Sequence, residues 1–269
     1  ITASGMAAIS LVCQLLRPGE LLVAPHDCYG GTHRLLSTLH ERGQFRVAFV
    51  DQTDAKALQQ AFADGPRMIL VETPSNPLLR ITDFALVAGL CRLHDTLFVA
   101  DNTFLSPALQ TPIEHGADLV IHSTTKYLNG HSDVVGGAVV ARTPELHEEI
   151  DWWGNCMGLT GAPFDSYLTL RGIRTLHARL RAHEENAAAV AELLDAHPSV
   201  ATVYYPGLTA HPGHEIAARQ QRGFGAMLSF ELAGGDAAAR RLEESITIPI
   251  VAPSLGGVES LVTRPAATS

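Results

Sequence analysis

Short apolar runs recur along the first half of the chain, each closed by a cluster of Gly, Pro, Asn, Ser or Thr. Leu21–Ala24, Phe45–Val50, Met68–Val71, Leu97–Ala100 and Leu119–Ile121 contain almost no polar alternation, as strands buried on both faces should. Between them, Ser4–Leu16, Thr32–Arg42, Asp54–Ala63 and Phe84–His94 read as helices. Ser4 is an N-cap type, and Arg17-Pro18-Gly19 ends the first helix. Repeating strand–helix units with short connections predict an α/β fold: a mostly parallel sheet covered on both faces. The second half changes character. Pro163–Leu170 and Arg174–Ala196 read as helices, the latter with Arg179, Arg181, Glu184 and Glu185 on an exposed face. Strands at Val200–Tyr205, Ala226–Leu232 and Ser260–Thr263 mix with helices at Glu215–Gln221 and Asp236–Glu244. The expected organisation is a large domain over residues 1–185 and a smaller α+β domain over 186–269.

The chemistry gathers where the strands end. Asp118–His131 reads DLVIHSTTKYLNGH: a strand, then Ser123, Thr124 and Thr125, then Lys126. Burial disfavours an ammonium, and a neutral amine is a nucleophile toward an aldehyde. The neighbouring hydroxyls are donors for a phosphate. Asp101 closes the run Leu97–Ala100, where a carboxylate is costly unless satisfied. A protonated ring nitrogen would satisfy it and would keep that ring an electron sink; an N-cap or an ion pair would also satisfy it. Gly5, in the first turn of a helix with free N–H groups, marks an anion site or an ordinary capped helix. Tyr29, in Pro25-His26-Asp27-Cys28-Tyr29-Gly30-Gly31, lies at the strand edge where open α/β sheets bind ligands. It reads as a stacking platform for a flat ring or equally as a turn residue. Asn76, between Ser75 and Pro77, lies at another strand end, and Gly256-Gly257 mark a turn.

Composition narrows the classes. The chain has 269 residues, 46% of them hydrophobic, and a formal net charge of −9, so it can bury a large core and offers no basic footprint for nucleic acid. No apolar run approaches membrane-spanning length. Cys13, Cys28, Cys91 and Cys156 are far apart and form no CxxC, which fits reduced thiols in a cytoplasmic protein. His211-Pro212-Gly213-His214 has HxxH spacing without a further ligand set, so no metal is expected. No GxGxxG opens a helix after a strand, which argues against a dinucleotide oxidoreductase.

Six segments, in order, carry a resemblance: Ser4-Gly5-Met6, Tyr29-Gly30-Gly31, Ser75-Asn76-Pro77, Asp101-Asn102-Thr103-Phe104, Ser123-Thr124-Thr125-Lys126-Tyr127 with Asn129-Gly130-His131-Ser132-Asp133, and Ser254-Leu255-Gly256-Gly257. Together they span nearly the whole chain. The chain resembles the pyridoxal phosphate (PLP)-dependent enzymes of cysteine and methionine metabolism, on the aspartate-aminotransferase fold. The resemblance implies a PLP cofactor carried by Lys126, with Asp101 at the pyridine nitrogen and Tyr29 stacked on the ring; these three form the catalytic set. It implies a phosphate held by Gly5, Met6, Ser123 and Thr125, and Asn76 near the cofactor's phenolic oxygen. Asn76, Ser254 and Arg34 are then the expected substrate contacts. Within the family, VAPHDCYGG (Val23–Gly31), DNTFLSPALQ (Asp101–Gln110) and FDSYLTLRGIRTL (Phe164–Leu176) imply replacement at the γ-carbon of O-succinyl-L-homoserine by cysteine. Elimination at that carbon is the alternative. Pro253 departs from the pattern, standing where several bacterial relatives carry a glutamate. The resemblance also implies a homotetramer with shared sites. Set against the family, an N-terminal arm with a Tyr and an Arg for the neighbour's phosphate site is expected to lie outside these residues. So is a C-terminal segment with the arginine that grips the substrate α-carboxylate.

Overall fold

The computed structural model describes residues 1–265; the last four residues of the expected smaller domain lie outside that range. The chain opens with α1 (Gly5–Val12), β1 (Leu21–Pro25), α2 (Gly30–Glu41), β2 (Arg46–Val50), α3 (Ala55–Ala63) and β3 (Met68–Glu72). It continues with α4 (Phe84–His94), β4 (Leu97–Asp101), a single turn α5 (Ser106–Leu109), β5 (Leu119–Ser123), β6 (Gly137–Ala141) and α6 (Pro144–Met157). Then come α7 (Pro163–Ile173), α8 (Leu176–Asp195), β7 (Val200–Tyr204), α9 (His214–Gln220), β8 (Ser229–Leu232), α10 (Gly235–Ser245), β9 (Ile250–Val251) and β10 (Leu261–Val262).

The central sheet has the order β2-β1-β3-β4-β5-β6. The first five strands are parallel, and β6 pairs antiparallel with β5. Strand alternation sends successive side chains to opposite faces. One face buries Leu22, Ala24, Leu70, Val99 and Ile121 under α1, α2 and α6. The other buries Val23, Ile69, Val71, Phe98 and Val120 under α3 and α4. This two-sided burial is why the strands read as unbroken apolar runs.

The elements not expected from the sequence are β6, α6, the single turn α5 and the two-residue strand β9. The antiparallel edge strand β6 begins at Gly137, where a Cβ would stand 2.5 Å from the Thr2 hydroxyl, so only glycine lets the amino-terminal segment pair alongside it. Helix α6 follows with Thr143 capping Leu146 N–H at 3.3 Å, Pro144 in its first turn and Gly158 closing it in the left-handed conformation. The first helix is shorter than expected, passing into a 3₁₀ turn at Cys13–Leu15. In the second half β7 and β8 form an antiparallel pair, and β9 and β10 a parallel one; β8 starts three residues later than the expected strand. The HxxH side chains serve the local backbone: His211 Nδ1 accepts from Gly213 N–H at 3.0 Å and His214 Nδ1 donates to Pro206 C=O at 2.8 Å.

Candidate active site

Three strands run past their apolar cores. β3 continues to Glu72, β4 to Asp101 and β5 to Ser123. Backbone pairing persists there while the side chains turn polar, because they have passed the core and reached the carboxyl edge of the sheet. By alternation all three project from the face covered by α1 and α2. Both helices start at this edge, so their amino-terminal turns and these three side chains converge.

Asp101 is tightly held. Its Oδ1 accepts the Thr103 hydroxyl at 2.5 Å and the Thr103 N–H at 3.0 Å, while Oδ2 has no bond to a described residue. The Thr103 hydroxyl in turn accepts Ser123 N–H at 2.8 Å. A hydroxyl that accepts from a backbone N–H must aim its own proton elsewhere, so it points at Asp101. The ends of β4 and β5 are thereby locked together.

Glu72 is the register partner of Asp101 on the adjacent strand, and its Oε2 accepts Tyr29 N–H at 2.9 Å. Burial and the nearness of Asp101 push Glu72 up to about 8, and burial raises Asp101 as well. Two neighbouring carboxyls out of water do not both ionise. Asp101 accepts two hydrogen bonds and Glu72 one, so the charge settles on Asp101 and the proton on Glu72.

Lys126 stands just past β5 in a tight turn closed by Gly130 N–H to Lys126 C=O at 2.8 Å. Burial lowers its pKa from the ordinary lysine value, favouring the neutral amine. Its Nζ donates to Ser254 Oγ at 2.9 Å across 128 residues of sequence. That approach depends on Gly256, at φ +83°, whose added Cβ would strike Tyr127 N at 2.5 Å. The loop therefore rests directly on the lysine-bearing backbone. A cavity of about 530 Å³, lined by Thr125, Ser132, Val134, Ile250, Ser254 and Glu259 among others, opens beside this contact.

At the start of α1, Ser4 caps Ala7 N–H at 3.0 Å. Gly5 and Met6 N–H carry no bond to a described residue. A Cβ on Gly5 would fall 2.8 Å from Ser123 Cβ, so glycine is what lets the helix start meet the Ser123 hydroxyl, which has no partner among the described residues. Thr125 differs: its hydroxyl donates to Gly136 C=O at 3.2 Å and accepts Gly136 N–H at 3.1 Å. Tyr29 is 58% exposed, and its ring and the Met6 sulfur both crowd the space a side chain on Gly31 would need. Asn76 is exposed in the loop after β3, whose Ser75 hydroxyl donates to Asp27 at 2.6 Å. Arg34 is exposed on α2 without an ion-pair partner among the described residues.

The structure thus brings together the start of α1, Ser123, Asp101 and the Lys126–Ser254 contact, and leaves Arg34 on the helix surface. Sequence reasoning passed over Glu72 and Thr103. Glu72 carries the same signal as Asp101, an acid closing an apolar strand. Thr103 is recognisable only once Ser123 is seen above it.

The chain matches the Cys/Met metabolism PLP-dependent enzyme family over residues 1–269. It is 55% identical over 267 residues to cystathionine gamma-synthase of Escherichia coli K12, covering 99% of this chain and 69% of that one. The crystal structure of cystathionine gamma synthase from Xanthomonas oryzae pv. oryzae in complex with cystathionine superimposes with a TM-score of 0.98 at 59% identity, covering 99% and 69% of the two chains. Cystathionine gamma-lyase of Bacillus subtilis is 44% identical over 264 residues, 98% of this chain and 69% of the relative.

Proposed function

This chain belongs to the Cys/Met metabolism PLP-dependent enzyme family, and from that premise we propose that it joins L-cysteine to the γ-carbon of O-succinyl-L-homoserine, releasing succinate and forming L-cystathionine. The observation that carries the chemistry is a partly desolvated lysine amine, held by Ser254, at a sheet edge that also presents Asp101. The higher identity to two γ-synthases than to the γ-lyase supports replacement over elimination.

The residues fit the cofactor. The free N–H pair of Gly5 and Met6 beside the unpaired Ser123 hydroxyl is a phosphate-sized set of donors at a helix start. Asp101 offers an unused carboxylate oxygen for a ring N–H, and Tyr29 stands at the rim for the ring face. Thr125 would contribute through placement, since its hydroxyl is taken by Gly136. Asn76, in the loop after β3, and Ser254, on the Lys126 amine, are the groups proposed for the substrate carboxylate, and Arg34 is the cation proposed for the distal carboxylate of the succinyl group.

PLP, when bound, supplies an electron sink for the electrons left at the substrate α-carbon. Asp101, kept charged through Thr103, would hold a proton on the ring nitrogen. Lys126 Nζ would carry the cofactor and, once free, would take the α-proton as a neutral base. A second proton leaves Cβ as the Cγ–O bond breaks with succinate as leaving group; the Cγ–S bond then forms as cysteine gives up its thiol proton and Cβ regains a proton. Lys126 returns the α-proton. Ser254 Oγ fixes the amine between these transfers.

Several further readings accompany the reaction. A large cofactor-binding part to about residue 185 and a smaller part beyond it remain the proposed division. Phe164, Tyr167, Leu170 and Ile173 form an exposed apolar stripe on α7, with Trp152 and Met157 exposed on α6; such a surface supports assembly with further copies, proposed as a homotetramer. Four unpaired cysteines support a cytoplasmic, reducing location. Among the described residues, no helix is long and apolar enough to cross a membrane. Pro253, which leaves no carboxylate next to Ser254, favours γ-elimination as the second reading.

The test follows absorbance and products of the PLP-loaded protein given O-succinyl-L-homoserine, with and without cysteine. Cystathionine formed only with cysteine supports the proposal. Faster release of 2-oxobutyrate from cystathionine selects the lyase. Lys126→Ala is expected to lose the lysine-bound absorbance and to slow turnover by about 10³-fold or more; substantial turnover in that variant would sink the assignment.

A further inference from the structure

The reaction outlined above makes no use of Glu72, yet its position has a cost that something must offset. It is only 8% exposed, and its register partner on the next strand is a second acid, Asp101. A carboxyl taken out of water beside another is disfavoured on both counts. Among the described residues its one hydrogen bond is from the backbone N–H of Tyr29, 43 residues earlier. Tyr29 is the residue on which α2 begins, and no side chain caps that helix. Glu72 therefore anchors the turn that carries the aromatic ring, from the strand next to the one that carries Asp101.

We propose that Glu72 is a positioning residue of the cofactor site, fixing the Tyr29 turn through Oε2 and keeping the single negative charge of the carboxyl pair on Asp101. The inference rests on PLP binding at this edge and is independent of which substrate is used. The titratable groups facing Glu72 are Asp101 on β4 and Asp27 and Cys28 in the β1–α2 turn.

The two roles separate by substitution. Glu72→Gln keeps an oxygen for Tyr29 N–H and removes the titration; Glu72→Ala removes both. Titrating apo-protein with PLP, Glu72→Ala should bind about tenfold more weakly, the loss of one buried hydrogen bond to the turn, and Glu72→Gln should recover most of that.

The second readout needs no cofactor. An unfolded Glu ionises near its ordinary 4.5, whereas folded Glu72 keeps its proton to about 8. The folded state binds the extra proton in that interval, so apo-protein stability falls as pH rises through it. The melting temperature of wild-type apo-protein should therefore drop between about pH 5 and about pH 8, and Glu72→Gln should flatten that drop. Wild-type PLP affinity in Glu72→Ala, or an unchanged pH slope in Glu72→Gln, would overturn the proposal. Should Glu72→Ala not fold, the Glu72→Gln slope alone decides. A wild-type protein that binds PLP but leaves the succinyl ester untouched would defeat the proposed reaction and not this inference.

Discussion

Strands β1 and β3 bury every residue they contain, whereas β9 exposes both of its residues and α10 buries none. The first region packs helices on two faces of one sheet, and its apolar side chains find cover there. The second is built from two-stranded pieces, with Ile248 85% and Ile250 54% exposed. Yet this thinly packed region supplies Ser254, the residue in contact with the lysine amine. The sheet provides rigidity and most of the chemistry; the later region provides one contact delivered by a loop. Their contributions to stability and to activity should come apart.

Core truncation should show the largest effect. Leu22→Ala, in β1 and 1% exposed, should cost about 2–5 kcal/mol in a denaturant titration. A cost under about 1 kcal/mol would mean that the sheet is not where stability resides. Ser254→Ala comes next. It should lower kcat about tenfold through the lost hydrogen bond to Lys126, while stability moves by less than about 0.5 kcal/mol. Equal losses in both measurements would erase the contrast. The smallest effect belongs to Val251→Ala, expected within about 0.5 kcal/mol because the side chain is exposed. A cost above about 1 kcal/mol would show that this face is covered in solution, which the proposed homotetramer would explain.

Much of this was legible in the sequence because burial on both faces leaves an unmistakable mark. Met68–Val71 and Leu97–Ala100 could be read as strands directly. Their last residues could not, since Glu72 and Asp101 break the apolar run while the backbone ladder continues. Asp101 was singled out because an acid there demanded a partner; the same demand at Glu72 was hidden by the turn-rich TPSNP that follows. β6 and α6 escaped for different reasons. β6 opens on Gly137 directly after Gly136, and the pair carries no strand signal; Gly137 is there to admit a neighbouring backbone. Thr143-Pro144 carries a cap signal for α6, but the helix after it shows no clear apolar face. Lys126 was legible from its strand, but its bond to Ser254 joins positions 128 apart, and no local pattern encodes that meeting.

Gly256 lets its loop settle on the backbone at Lys126 and Tyr127, and this has a consequence for the order in which a new chain comes to life. Synthesis runs from the amino end, so the sheet and its lysine exist before residues 254–257 emerge. Until that loop docks, the amine has no Ser254 to orient it, and the emerging protein holds its reactive group without the part that aims it. The aiming of the amine is thus a late event, timed by the arrival of a glycine turn.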